Sequence, residues 1–127
     1  MPDGNKPTML VVDDEPLVRM DLAEMLITAG YQTLEAGSAA EAVVLLDNHP
    51  GIRVIFTDIQ MPGSMDGLAL AHFVRERWPP TMIVICSGNC APAPSELPTD
   101  ANFIAKPFGS QELDRILDNL KTRLPAV

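Results

Sequence analysis

Three acidic side chains stand in a row in VVDDEP (residues 11–16), directly after an apolar run. Crowded carboxylates repel one another, so such a cluster makes sense if a cation offsets the repulsion. Further along, Asp58 follows a second apolar run in IRVIFTD, Ser87 a third in MIVICS, and Lys106 a short fourth in NFIAK. Asp13, Asp14 and Asp58 with hydroxyl and amine partners suit a hard divalent ion, most simply Mg²⁺, which takes a few carboxylates plus waters and phosphate oxygens. Two of the acids would ligate the ion while the third attacks phosphorus to give an aspartyl-phosphate. Transfer of a phosphoryl group also needs cations on its equatorial oxygens, which Mg²⁺ and Lys106 would supply.

Whether these residues meet depends on the elements that carry them. TMLVV (8–12), IRVIF (52–56) and MIVIC (82–86) are short, β-branched and mostly apolar, as expected of strands buried on both faces of a parallel sheet. YQTLE (31–35) suits an edge strand, and NFIA (102–105) is a short fifth. Helical periodicity falls between them: Val18, Leu22, Met25 and Ala29, stopped by Gly30; Ala39, Val43 and Leu46, with Ser38 as N-cap; Leu70, Phe73, Val74 and Trp78, stopped by Pro79 and Pro80. Leu113, Ile116, Leu117, Leu120 and Leu124 define a last helix starting near Gly109 or Ser110. The order βαβαβαβ…βα predicts an α/β fold, a doubly wound parallel sheet with helices on both faces.

One segment breaks the alternation. CAPAPSELPTDA (90–101) lies where a fourth helix belongs, yet carries Pro92, Pro94 and Pro98. Each removes a donor and clashes with the preceding turn, so a loop is expected, with at most one helical turn around Ser95 to Leu97. In an open parallel sheet, ligands sit beyond the carboxyl ends of the strands. Asp13, Asp14, Thr57, Asp58, Ser87 and Lys106 all fall there. Each also has a plainer reading: Asp14 as a helix cap before Pro16, Asp58 and Ser87 as turn residues, Lys106 as a solvated lysine. Those readings place no demand on which strand ends are used, whereas here the three central strands all contribute.

Composition narrows the classes. A chain of 127 residues fits one domain, and 46% apolar content supplies a core. A formal charge of −8 argues against direct contact with nucleic acid or anionic membranes. No apolar run is long enough to span a bilayer, and MPDGNKPT lacks the apolar centre of a signal peptide, so a cytoplasmic protein is expected. Cys86 and Cys90, without further Cys or nearby His, do not make a zinc site, and Cys86 reads as a small buried hydrophobe.

Together, VVDDEP, FTDIQMPGSMDG, ICSG and FIAKPF resemble the receiver domain of two-component response regulators, over residues 8–124. The resemblance implies a flavodoxin-like five-stranded sheet of order 2-1-3-4-5. It makes Asp58 the phosphoacceptor, Asp13 and Asp14 the acidic pair that holds Mg²⁺, and the backbone carbonyl of Gln60 a further ligand. Ser87 becomes the switch hydroxyl, Lys106 the phosphate-pairing lysine followed by a cis Pro107, and Phe103 the aromatic switch residue. Gln60 and Asn89 would flank the phosphoryl group and modulate its lifetime. The donor would be a sensor histidine kinase or phosphotransfer protein, leaving His49 and His72 as surface residues.

Four departures from the family pattern stand out, and one is Ser87 in place of the commoner threonine, which loses only a methyl. The loop through Gly63, Ser64 and Met65 is one residue longer than the commonest pattern. Phe103 lacks a hydroxyl, and the proline-rich stretch replaces a helix that usually forms part of the output face. It is a candidate for ordering on phosphorylation. With the last helix ending at Leu124, the expectation is a single receiver domain over 1–127 with no effector domain. It would signal to a downstream protein by contact or act as a phosphate sink. The alternative is a phosphorylation-independent interaction module that keeps the fold without the switch. An aspartate-nucleophile hydrolase needs an acid where Gln60 stands, and a nicotinamide enzyme needs GxGxxG where DDEP stands.

Overall fold

The computed structural model describes residues 7–59, 65–88 and 94–121. Five parallel strands are β1 (Thr8–Val12), β2 (Gln32–Ala36), β3 (Ile52–Asp58), β4 (Met82–Ser87) and β5 (Asn102–Ala105), in the spatial order β2-β1-β3-β4-β5. The helices are α1 (Pro16–Thr28), α2 (Ala39–Asn48), α3 (Gly67–Arg77) and α4 (Ser110–Lys121). This is the doubly wound sheet that the alternation of runs predicts. β1 and β3 are neighbours, so the chain reverses its winding direction between them, and a crevice opens at their carboxyl ends.

The core has two parts, one on each face of the sheet, because successive strand residues point to opposite sides. Met9, Val11, Val54, Phe56, Val84, Cys86 and Ile104 pack against Leu22, Ala23 and Leu26 of α1 and Leu113, Leu117 and Leu120 of α4. Leu10, Val12, Ile55, Ile83 and Ile85 pack on the other face against Ala39, Ala42 and Leu46 of α2 and Leu70, Ala71 and Val74 of α3. The central strands read as continuous apolar runs for this reason.

Local signals behave as their chemistry dictates at most ends. The Ser38 hydroxyl accepts the Glu41 N–H at 3.2 Å, while the Glu41 carboxylate accepts the Gly37 N–H at 2.8 Å. Gly30 ends α1 at φ 100°, a conformation open to glycine. The described part of the proline-rich stretch, residues 94–101, forms a 3₁₀ turn over Pro94–Glu96, then a reverse turn closed by Ala101 N–H to Pro98 O at 3.2 Å. Leu97 and Ala101 pack against the α2/α3 face, so the described part of this stretch is seated on the core.

Other expectations need correction. The stripe Val18, Leu22, Met25, Ala29 marks the buried face of α1 only in part: Leu22 is buried and Met25 packs against the core, but Val18 and Ala29 are exposed, and Ala23 and Leu26 complete the buried face. Apolar residues run all around this helix, with Leu17 81% exposed, so periodicity cannot select a side. Asp14 does not cap α1. The N-cap is Glu15, with Pro16 opening the helix, and the Asp13 carboxylate accepts the Glu15 N–H at 2.9 Å. Thr57, Asp58 and Ser87 lie within the last residues of β3 and β4 rather than beyond them, and the second strand runs one residue later than expected. Leu124 lies outside the described residues.

Candidate functional site

Strand register builds the site. Asp13 follows β1 two residues after Val11, Asp58 ends β3 two residues after Phe56, and Lys106 follows β5 two residues after Ile104. All three therefore continue the α1/α4 side of their strands. One carboxylate oxygen from each of Asp13, Asp14 and Asp58 lies within 4.8 Å of the others. Asp13 is buried, Asp58 half-buried and Asp14 exposed, so the cluster has a fixed floor and an open mouth.

Lys106 Nζ donates to Asp13 Oδ2 at 2.8 Å and stands 3.4 Å from Asp58 Oδ2. Lys106 N–H also donates to the Ser87 carbonyl at 2.8 Å, and the Lys106–Pro107 peptide is cis. Burial pulls the ammonium below its ordinary value, but its hydrogen bond to Asp13 and the charges of Asp13 and Asp58 outweigh that; the net direction is up. Burial pushes the Cys86 thiol up to about 12, so Cys86 is a neutral apolar wall beside the cluster and not a nucleophile.

Two contacts hold the end of β3. The Thr57 hydroxyl donates to the Asp58 carbonyl at 3.0 Å, and Gly67 N–H donates to the Ile59 carbonyl at 2.7 Å. A Cβ at Gly67 would fall 1.5 Å from the Asp58 carbonyl oxygen. Glycine at position 67 thus lets the start of α3 press against the strand end that carries Asp58. Asp66, just before it, caps α3 by accepting the Ala69 N–H at 2.8 Å.

A cleft of about 650 Å³ opens beside the cluster, walled by α1 residues Leu17, Val18 and Met25 and by Phe108, and reaching Asp58 and Lys106. Phe103 is half-buried against the α2/α3 face, and Ser87 is buried at the end of β4. Gln60, Asn89, Gly63 and Ser64 lie outside the described residues. His49 and His72 are exposed, and the His72 ring is 2.7 Å from the Glu96 carbonyl.

With this geometry, comparison with known proteins decides the family. The description "response regulator receiver domain" matches residues 9–118. The chain belongs to this family. Receivers are signalling domains of two-component systems, phosphorylated by histidine kinases, that use Mg²⁺ at an acidic phosphorylation site. They interact with sensor kinases or phosphotransfer proteins. The chain is 34% identical over 110 residues to the sensor kinase CckA of Brucella abortus, covering 84% of this chain and 12% of that protein. It is 37% identical over 110 residues to the transcriptional regulatory protein PdtaR of Mycobacterium tuberculosis, covering 83% of this chain and 52% of that protein. The chain thus spans about half or less of these relatives. The receiver domain of NtrX from Brucella abortus superposes with a TM-score of 0.80 at 32% identity, over 87% of this chain and 95% of that one. Among the described residues, no helix is long and apolar enough to cross a membrane.

The receiver's acids fit a magnesium ion: three hard carboxylates at one spot, one of them exposed, leave room for waters and a phosphate oxygen. Sequence reasoning found each of these acids and Lys106, and placed Thr57 at the same edge without a role. It missed Gly67 and Arg19, whose Nη1 donates to the Asp13 carbonyl at 2.9 Å. A glycine directly after the Asp66 cap was the one available signal for Gly67.

Proposed function

We propose that this receiver accepts a phosphoryl group on Asp58 from a phosphohistidine donor, with Asp13, Asp14 and the Gln60 carbonyl holding Mg²⁺. The observation that carries the reading is the three-carboxylate cluster with the Lys106 ammonium against two of its members. When bound, the Mg²⁺ would neutralise charge on the cluster and on the phosphoryl oxygens.

Asp58, at the end of a rigid central strand, presents one carboxylate oxygen to phosphorus. The P–O bond to Asp58 forms as the P–N bond to the donor imidazole breaks, and the leaving imidazole regains a proton from solvent. Lys106, already 3.4 Å from Asp58 Oδ2, needs little movement to meet a phosphoryl oxygen. Ser87 supplies a hydroxyl to another. The product replaces about one negative charge by roughly two, which draws Ser87 and Lys106 inward. Because Lys106 N–H is bonded to the Ser87 carbonyl, the two move together, and Phe103 on β5 follows. Gln60 and Asn89 set how long the phosphoryl group lasts, and output runs through contact with a downstream protein or through draining a shared kinase.

The test is incubation with a small acyl-phosphate and Mg²⁺, read by intact mass. The native chain gains one phosphoryl group and Asp58→Asn gains none. Equal labelling of the variant overturns the assignment. Titration into a mixture of kinase and second regulator separates the outputs, since a sink lowers the second regulator's phosphorylation without binding its target.

A further inference from the structure

The buried Asp13 is held on four sides. Its N–H donates to the Ala36 carbonyl at 3.1 Å, its Oδ1 accepts the Glu15 N–H at 2.9 Å, and its Oδ2 accepts Lys106 Nζ at 2.8 Å. The fourth hold is Arg19 Nη1, which donates to the Asp13 carbonyl at 2.9 Å while Arg19 Nε donates to Glu35 Oε1 at 3.1 Å. Arg19 therefore ties three places together: the first turn of α1, the end of β2 and the acidic loop. Its side chain is only 20% exposed.

The Asp13 carbonyl and the Asp14 N–H share one rigid peptide plane. Fixing the carbonyl fixes the position of the Asp14 Cα, and the Glu15 N–H bond to Asp13 Oδ1 restrains the peptide on its other side, so together they limit where the side chain of Asp14, the exposed member of the cluster, can go. A lone guanidinium near three carboxylates would also compete with a dication for their field. Glu35 cancels that charge, so the arginine orients the loop while adding little repulsion to an arriving cation.

We propose that Arg19, neutralised by Glu35, is a positioning residue that aims Asp14 and so sets the affinity of the acidic cluster for its divalent cation. The inference rests on the proposed function above. Partners that orient metal ligands change affinity by about 10- to 100-fold when removed.

The decisive variant is Arg19→Ala/Glu35→Ala, which deletes the strut without changing net charge. Mg²⁺ is titrated by calorimetry, and urea unfolding is measured without metal. The expected result is about a tenfold higher Mg²⁺ dissociation constant, with most of the affinity returned in Arg19→Lys, which keeps a donor for the Asp13 carbonyl. Arg77→Ala, which removes the exposed Arg77–Asp47 pair away from the cluster, leaves Mg²⁺ affinity unchanged. A double variant with lowered stability but native Mg²⁺ affinity overturns the inference, as does a tighter-binding one. Should the double variant not fold, Arg19→Gln/Glu35→Gln, which also keeps the net charge, carries the same test with the same two outcomes. A native chain that binds no Mg²⁺ overturns the functional reading itself, which distinguishes the two failures.

Discussion

Replacing Gly67 by alanine should damage the site although residue 67 carries no chemistry. The added Cβ would lie 1.5 Å from the Asp58 carbonyl oxygen, 2.5 Å from its carbon and 2.9 Å from the Ile59 Cα. All three are backbone atoms, so no side-chain rotation relieves the contact. Restoring an ordinary C···O separation of about 3.3 Å requires a displacement of about 1.8 Å between α3 and the end of β3. Alanine favours a helix over glycine by about 1 kcal/mol, which opposes the damage. Overpacking against main chain costs about 3 kcal/mol, and losing the Gly67–Ile59 hydrogen bond costs about 1 kcal/mol. The net expectation is destabilisation by about 3 kcal/mol. Because Asp58 itself is displaced, phosphorylation should slow by about 10²-fold, the effect of a 1 Å misplacement. Urea unfolding and the rate of phosphoryl gain by intact mass give the two readouts. Gly51→Ala is the control, since a Cβ there meets only Thr8 Oγ1 at 3.8 Å. Native stability and native rate in Gly67→Ala would refute the reasoning.

Lys106→Met leaves the buried Asp13 carboxylate without its 2.8 Å partner, costing about 3 kcal/mol. Millimolar Mg²⁺ should recover part of that, and equal melting of native and variant chains in chelator would count against the pairing. Alkaline pH should weaken the fold through two groups whose folded values are raised. Cys86, up to about 12 from an ordinary 9.0, contributes stability that is complete below pH 9.0 and declines as pH rises toward 12. The Lys106 contribution is complete below its ordinary 10.5 and declines through its raised value. Urea midpoints should therefore start to fall near pH 9, and Cys86→Ala should delay the onset; a native curve flat from pH 8 to 10.5 would contradict this. Asp100 sits at φ 63° in an exposed turn, so Asp100→Gly should stabilise by about 0.5 kcal/mol, relief of the left-handed strain exceeding the entropy cost of glycine. A lower urea midpoint for this variant would show the reverse balance.

The alternation of apolar runs determined the strands by itself, because a strand buried on both faces has to be apolar along its length, as MIVIC is. Proline chemistry likewise determined that residues 94–101 hold only one short helical turn, since no tertiary contact restores a missing N–H donor. The acids and the lysine were legible because strand carboxyl ends of a parallel sheet share one edge, so residue type and position in the chain suffice to bring them together. Only the tertiary structure decided which side of α1 is buried. Apolar residues surround that helix, and the choice of Leu22, Ala23 and Leu26 depends on how it docks. The same holds for contacts between segments distant in sequence: Lys106 with Asp13, Arg19 with Glu35, and the close approach of Gly67 to Asp58. Each is set by strand register and helix docking, where a shift of one residue or 1–2 Å changes the partner. Local sequence carries no record of distances on that scale.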